Sequence, residues 1–172
     1  RIYYQIGICN EYIRETSDEK LASRGITSPE IKMYRAEARF LRALSYYHAL
    51  DMFGSVPFVT EKDAVGSFLP KQISKADLFA YIESELKAIE VDMAEPRKNE
   101  YARADKAAAW TLLTKLYLNA EVYIGAGKYT EAITSAKKVI GAGYVLEAKY
   151  QNLFLADNNK SAEIIFPVAF DG

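Results

Sequence analysis

The chain has 172 residues, 50% of them hydrophobic and 26% charged, with a formal net charge of −1. That length and balance fit one domain able to bury a core, and they exclude the clustered basic footprint of a nucleic-acid-binding domain. The single cysteine, Cys9, excludes a disulfide within the chain, and no apolar run is long enough to span a membrane.

Residues 1 to about 16 read as a helix with Ile2, Ile6, Cys9 and Ile13 on one face. Cys9 is expected to be a buried helix cysteine rather than a lipidation site, because Ile2–Ile8 is too short and mixed for a signal segment. Arg1 has no signal peptide ahead of it, so the sequence is expected to start inside a longer or processed protein. Thr16-Ser17-Asp18 end the first pattern, and Ser23–Ser28 with Gly25 reads as a linking loop.

A long helix is predicted from about Pro29 to Phe53, capped by Ser28, opened by Pro29 and closed by Gly54 with Pro57 soon after. It carries two apolar stripes: Ile31, Tyr34, Ala38, Leu41 and Met52, and then Phe40, Ala43, Leu44, Tyr47 and Leu50. A helix apolar on more than one side is sandwiched between neighbours, so this one is expected to be the spine of a helical array. Residues 54–73 are irregular, broken by Gly54, Pro57, Gly66 and Pro70, with Val56–Val59 extended. A loop of that length is functional or a connector.

Ser74-Lys75-Ala76-Asp77 resembles a capping box, and a helix to about Met93 follows. Leu78, Ile82, Leu86, Ile89 and Met93 form its buried face, with Glu83, Glu85, Lys87, Glu90 and Asp92 largely off it. Another helix is predicted from Arg103 to Ile124, its start rich in alanine, then a Gly125–Lys128 turn and a helix from Tyr129 to Ile140. The last two helices have the outline of a tetratricopeptide repeat, a helix-turn-helix unit of about 34 residues. Ala120, Tyr123 and Ala132 suit its small-residue and tyrosine positions, while Leu116 and Ala136 do not match its aromatic ones. Tyr150–Leu155 reads as a short helix, Asp157–Lys160 as a polar turn, and Glu163–Phe170 as a strand that Pro167 confines to an edge or bulge.

Three stretches carry a family resemblance. They are Ala36-Glu37-Ala38-Arg39-Phe40-Leu41-Arg42-Ala43 with Met52–Glu61; Arg103–Trp110 running into Leu116–Ala120; and Tyr150–Phe154 followed by Asp157-Asn158 and Glu163–Phe166. In this order they resemble the signature of the SusD/RagB family, outer-membrane glycan-binding lipoproteins of Bacteroidetes-type nutrient-uptake systems. The resemblance implies a mainly α fold, a tetratricopeptide-like helical repeat array over residues 1–160. Residues 161–172 would begin the C-terminal region, with a terminal strand paired outside this stretch. The chain would be an internal piece of the N-terminal half, with the lipid-anchor cysteine upstream. The implied function is non-catalytic glycan binding at the cell surface, without cofactor, together with a SusC-type TonB-dependent transporter. The likeness of Arg103–Ala108 and Tyr117–Ala120 to the family's starch-binding founder implies an α-glucan. The family's glycan contacts lie largely in loops outside this stretch, so no glycan-binding, catalytic or metal residue is assigned within residues 1–172. The alternative is a helical-repeat scaffold for protein partners that binds no sugar, which the Glu163–Phe170 strand argues against.

Other candidate chemistry has a plain structural reading. His48 is the only histidine; metal sites and Ser-His-Asp triads need more around it, so it is expected to be packed or hydrogen-bonded among aromatics. Arg35, Arg39 and Arg42 share a helix face and are expected to pair with carboxylates such as Glu37 or others on neighbouring helices. The 13 tyrosines, mostly at helical spacing, fill gaps between helices. Asp157-Asn158-Asn159 lacks the glycine and terminal glutamate of an EF-hand loop, and Asn159-Lys160-Ser161 fits a glycosylation triplet that occurs often by chance. Glu83, Glu85, Glu90 and Asp92 could supply a glycosidase pair but read as a solvated helix face. Gly125-Ala126-Gly127 lacks the strand that a phosphate loop requires.

Overall fold

The computed structural model describes residues 1–66 and 68–169. Its elements run α1 (Ile2–Glu15), α2 (Asp18–Ser23), α3 (Glu30–Phe53), β1 (Val56–Pro57), β2 (Gln72–Ile73), α4 (Lys75–Ile89), α5 (Lys106–Leu118), α6 (Ala120–Ile124) and α7 (Tyr129–Gly141). Two 3₁₀ turns, Tyr150–Phe154 and Asn158–Lys160, follow. The expected mainly α array is the observed fold: α1 packs on α3, α3 on α4, α4 on α5 and α6, and α5 on α7.

The periodic apolar faces build the core. Ile6, Cys9 and Ile13 of α1 are buried, and Leu78, Ile82, Leu86, Ile89 and Met93 are sealed in. Ala120, Tyr123 and Ala132, the residues placed on the repeat motif, are all buried. On α3 the second stripe is the more reliable guide, with Phe40, Ala43 and Leu50 buried beside Ala36, Tyr46 and Ala49. From the first stripe only Ala38 is buried; Tyr34 is exposed and Met52 is 56% exposed. Tyr34 instead lies under the Arg103 guanidinium, 4.7 Å from its ring centre.

Several helix boundaries differ from expectation. Ser28 does not cap a backbone N–H of α3; its hydroxyl donates to Glu30 Oε2. Gly54 does take positive φ (+72°) while its N–H reaches Leu50 O at 2.9 Å. Ser17 accepts from the Lys20 N–H and opens α2, a turn that a serine followed by Asp18 and Glu19 signals. Helix α5 starts at Lys106 rather than Arg103 because Asp105 takes the N-cap, accepting from the Ala107 and Ala108 N–H groups at 2.8 and 3.1 Å. The predicted single helix then breaks at Asn119, whose side-chain amide takes up the Lys115 carbonyl at 3.1 Å and competes with the helical ladder.

Residues 54–66 and 68–73 belong to the long loop read from the sequence, closed at its base where Val56 pairs with Ile73 and Pro57 with Gln72, antiparallel. The expected strand over Glu163–Phe170 does not form: among the described residues, 163–169 pair with no strand, and Phe170 lies outside them. No neighbouring strand offers a ladder there, and burial takes over. Phe166 places its ring edge-on to Phe40 at 5.3 Å, and Ile165 packs on the core.

Asp105 does more than cap a helix. Its Oδ2 also accepts the Arg97 N–H at 2.7 Å, and it is 4% exposed. Arg97 sits at φ +63°, a left-handed conformation that a non-glycine residue adopts at a cost. Replacing Asp105 with alanine removes the cap and orphans a donor, so a loss of about 2–4 kcal/mol is expected by urea unfolding. Asp105→Asn, which keeps one acceptor, should lose less; equal losses in the two variants would contradict this account.

Candidate functional site

The arginines that share one face of α3 meet different fates. Among the described residues Arg35 reaches only the exposed Asp18, at 3.2 Å. Arg39 forms a fork on Glu85 of α4, Nε and Nη2 donating at 3.0 and 2.7 Å. Arg42 is 2% exposed. Its Nη1 donates to Asn10 Oδ1 of α1 at 2.8 Å and to Glu61, and its Nη2 to Glu85 Oε2 at 2.9 Å. The expected pairing with carboxylates therefore holds, but the partners are Glu85, Glu61 and Asp18. Glu37 turns the other way and receives a two-pronged contact from Arg103 at 3.0 and 2.8 Å.

Electrostatics keep this cluster charged. Burial opposes ionisation of Glu85, but hydrogen bonds and charge from Arg39 and Arg42 outweigh it and hold the carboxyl below its usual range. Glu61 follows the same balance, with Arg42 overcoming burial.

The cluster fixes the start of the long loop. Asn10 Nδ2 donates to Val59 O at 3.2 Å. The Tyr46 hydroxyl donates to that carbonyl at 2.7 Å and accepts the Val59 N–H at 2.9 Å. Arg14 Nε reaches Glu61 O at 3.0 Å and its Nη2 reaches Asp63 O at 3.2 Å. Tyr46, Phe58 and Tyr81 pack ring on ring, 4.8–5.7 Å between centres. Burial pushes the Tyr46 hydroxyl up to about 12, so it stays a neutral donor. Beyond this anchor the loop lines a cavity of about 630 Å³ with Thr60, Lys62, Asp63, Phe68, Lys71 and Gln72 among its wall residues.

A second, open hollow of about 400 Å³ lies between α3 and α5, lined by Phe40, Leu44, Leu112, Lys115, Phe166 and Val168. His48 stands at this hollow, exposed rather than packed, with its ring 5.6 Å from that of Tyr47. Cys9 is buried as expected, and burial pushes its thiol up. Of the other carboxylates weighed as a glycosidase pair, Glu83 pairs with Lys87 at 2.7 Å and accepts from the Tyr117 hydroxyl at 2.8 Å, and Glu90, just after α4, pairs with Lys138 at 2.8 Å, while Asp92 is exposed and without an ion pair among the described residues. Asp157 pairs with Lys160, at 3.5 Å. Among the described residues, no helix is long and apolar enough to cross a membrane.

Sequence reasoning missed Asn10, Glu61 and Tyr81. No local pattern marks them, because their roles depend on a buried cation supplied by another element.

The helical array is similar to SusD-like proteins in sequence and in fold. No protein-family model matches the chain. The starch-binding protein SusD of Bacteroides thetaiotaomicron is 44% identical over 176 aligned positions, covering 100% of this chain and 30% of that protein. A SusD superfamily protein from Parabacteroides distasonis superposes with a TM-score of 0.83 at 25% identity, over 99% of this chain and 36% of its own. A SusD-like carbohydrate binding protein from Bacteroides fragilis gives 0.76 at 25% identity, over 96% and 31%. The chain is SusD-like in sequence and in fold, and it spans about a third of the length of these relatives.

Removing Arg42 would strip Glu61 of its ion pair and leave Glu85 to Arg39 alone in a poorly solvated interior. Arg42→Ala is expected to cost about 3–5 kcal/mol in urea unfolding at pH 7. Acid should act on the same pairs. Because the folded values of Glu61 and Glu85 are depressed, their contribution is complete above the unfolded value of about 4.3 and is lost as pH falls through the folded ones. The urea midpoint should drop on going from pH 6 to pH 3, and it should drop less in Glu85→Gln. Parallel curves for the two proteins would show that the cluster is not the titrating element.

Proposed function

We propose that this chain is the helical scaffold of a non-catalytic, cell-surface glycan-binding protein that works in nutrient uptake. The observation that carries the reading is the 44% identity, over the whole chain, to a protein named for starch binding. In this reading residues 1–160 hold the binding loops in place and residues 161–172 begin the following region. The protein would sit on the outer membrane through a lipid anchor carried elsewhere in the sequence. It would pass captured oligosaccharide to a SusC-type TonB-dependent transporter, and an α-glucan is the expected ligand.

The non-catalytic reading is supported by the four carboxylates weighed as a glycosidase pair: Glu83, Glu85 and Glu90 are each held by a cation, which leaves Asp92 without a second free carboxyl among them. A glycosidase needs two carboxyl groups flanking a glycosidic bond.

The test is affinity electrophoresis of the whole protein in gels containing amylopectin, laminarin or xyloglucan. Retardation by amylopectin alone is expected. Retardation by another polymer would keep glycan capture and replace the ligand. Mobility unchanged in every gel would favour a helical scaffold for protein partners.

A further inference from the structure

The cavity of about 630 Å³ under the long loop falls within the range of about 300–1,000 Å³ typical of small-ligand sites. Its chemistry is mixed in an informative way. The charged side chains lining it are Lys62, Lys71, Asp63 and Asp77, two positive and two negative, so its net charge is zero. Each aspartate spends one oxygen on the fold: Asp63 Oδ2 accepts the Thr60 N–H at 2.7 Å, and Asp77 Oδ2 accepts the Ser74 hydroxyl at 2.6 Å. The second oxygen of each carboxylate is without a partner among the described residues. Lys62 and Lys71 are exposed, and among the described residues they enter the fold's hydrogen bonding through backbone groups only. Phe68 is 42% exposed at the same hollow, held before Pro70.

We infer that this hollow is an oligosaccharide-binding site, built by residues 58–66 and 68–77, for a short neutral glycan. A sugar ring offers an apolar C–H face and a rim of hydroxyls. Phe68 supplies a flat apolar surface for the face. Asp63 and Asp77 supply acceptors, and Lys62, Lys71 and Gln72 supply donors for the rim. The balance of charge disfavours phosphates and polyanionic chains, which need an excess of cations.

The cavity wall is also preorganised. Asn10, Arg14, Arg42 and Tyr46 fix Val59, Glu61 and Asp63 before any ligand arrives. Holding a binding loop in its bound shape cuts the ordering cost of association. That gives the buried charge cluster a purpose that its modest net stabilisation does not.

The inference rests on the glycan-binding reading above, and one experiment separates the two. The whole protein is first run on amylopectin, laminarin and xyloglucan gels. Oligosaccharides cut from the polymer that retards it are then added during brief lysine acetylation read by mass spectrometry. Lys62 and Lys71 should be protected at least threefold at saturating oligosaccharide, while the exposed Lys98 and Lys149 are unchanged. Phe68→Ala, an exposed position outside the core, should weaken binding roughly threefold to tenfold. Binding by the whole protein with Lys62 and Lys71 unprotected, or with Phe68→Ala unaffected, would overturn this site and leave glycan capture standing. Lack of retardation in every gel would overturn both.

Discussion

A guanidinium group at 2% exposure is the constraint around which this molecule is arranged. Taking a cation out of water costs several kcal/mol, and only surrounding acceptors can offset that. Arg42 draws those acceptors from different parts of the chain: Asn10 from α1, Glu85 from α4 and Glu61 from the loop after β1. None of these elements can shift along α3 without stranding a charge. An apolar residue in the same place could give equal stability, but it would tolerate sliding. The charged cluster specifies register.

The same logic recurs further along α3. Glu37 leaves the helix toward the chain before α5, where Arg103 grips it with two nitrogens and Asn99 Nδ2 donates to it at 2.9 Å. Near the other end, Asp51 accepts the Tyr123 hydroxyl at 2.6 Å and ties α6 to α3. The spine therefore meets its neighbours through apolar packing along its length and through polar clasps at fixed points. Apolar packing supplies most of the free energy of folding, while the clasps decide which face meets which.

This division explains what the sequence made legible. Helices α1 and α4, each with one apolar face, were readable because periodicity is a local property. So was the connecting loop, which its glycines and prolines announce. The break at Asn119 was hidden because an asparagine in an apolar run looks tolerable until its amide competes with the ladder. Glu85 was placed on a solvated face, since spacing cannot show that the facing helix carries two arginines. The Glu163–Phe170 stretch looked like a strand from its Ile164, Ile165 and Phe166, but strand propensity measures fitness for a pleated, half-buried surface. Half-burial against α3 satisfies the same side chains without a ladder.

That last segment shows how the helical body treats chain beyond its helices. Ala162 O accepts the Val145 N–H at 3.3 Å, and Glu163 Oε2 accepts the Glu147 N–H at 2.7 Å. Phe166 then reaches the Phe40 ring in the middle of α3. The chain after α7 is thus pinned by backbone and side chain before it crosses the hollow between α3 and α5. The loop after β1 is pinned in the same manner, at Val59 and Glu61, before it spans its own cavity. In both places rigidity is concentrated where the irregular chain leaves the helices, and the chain beyond spans an open hollow. An array of packed helices offers few concave surfaces of its own, so recognition on such a body depends on loops held at their roots. The buried polar clasps around α3 provide those roots.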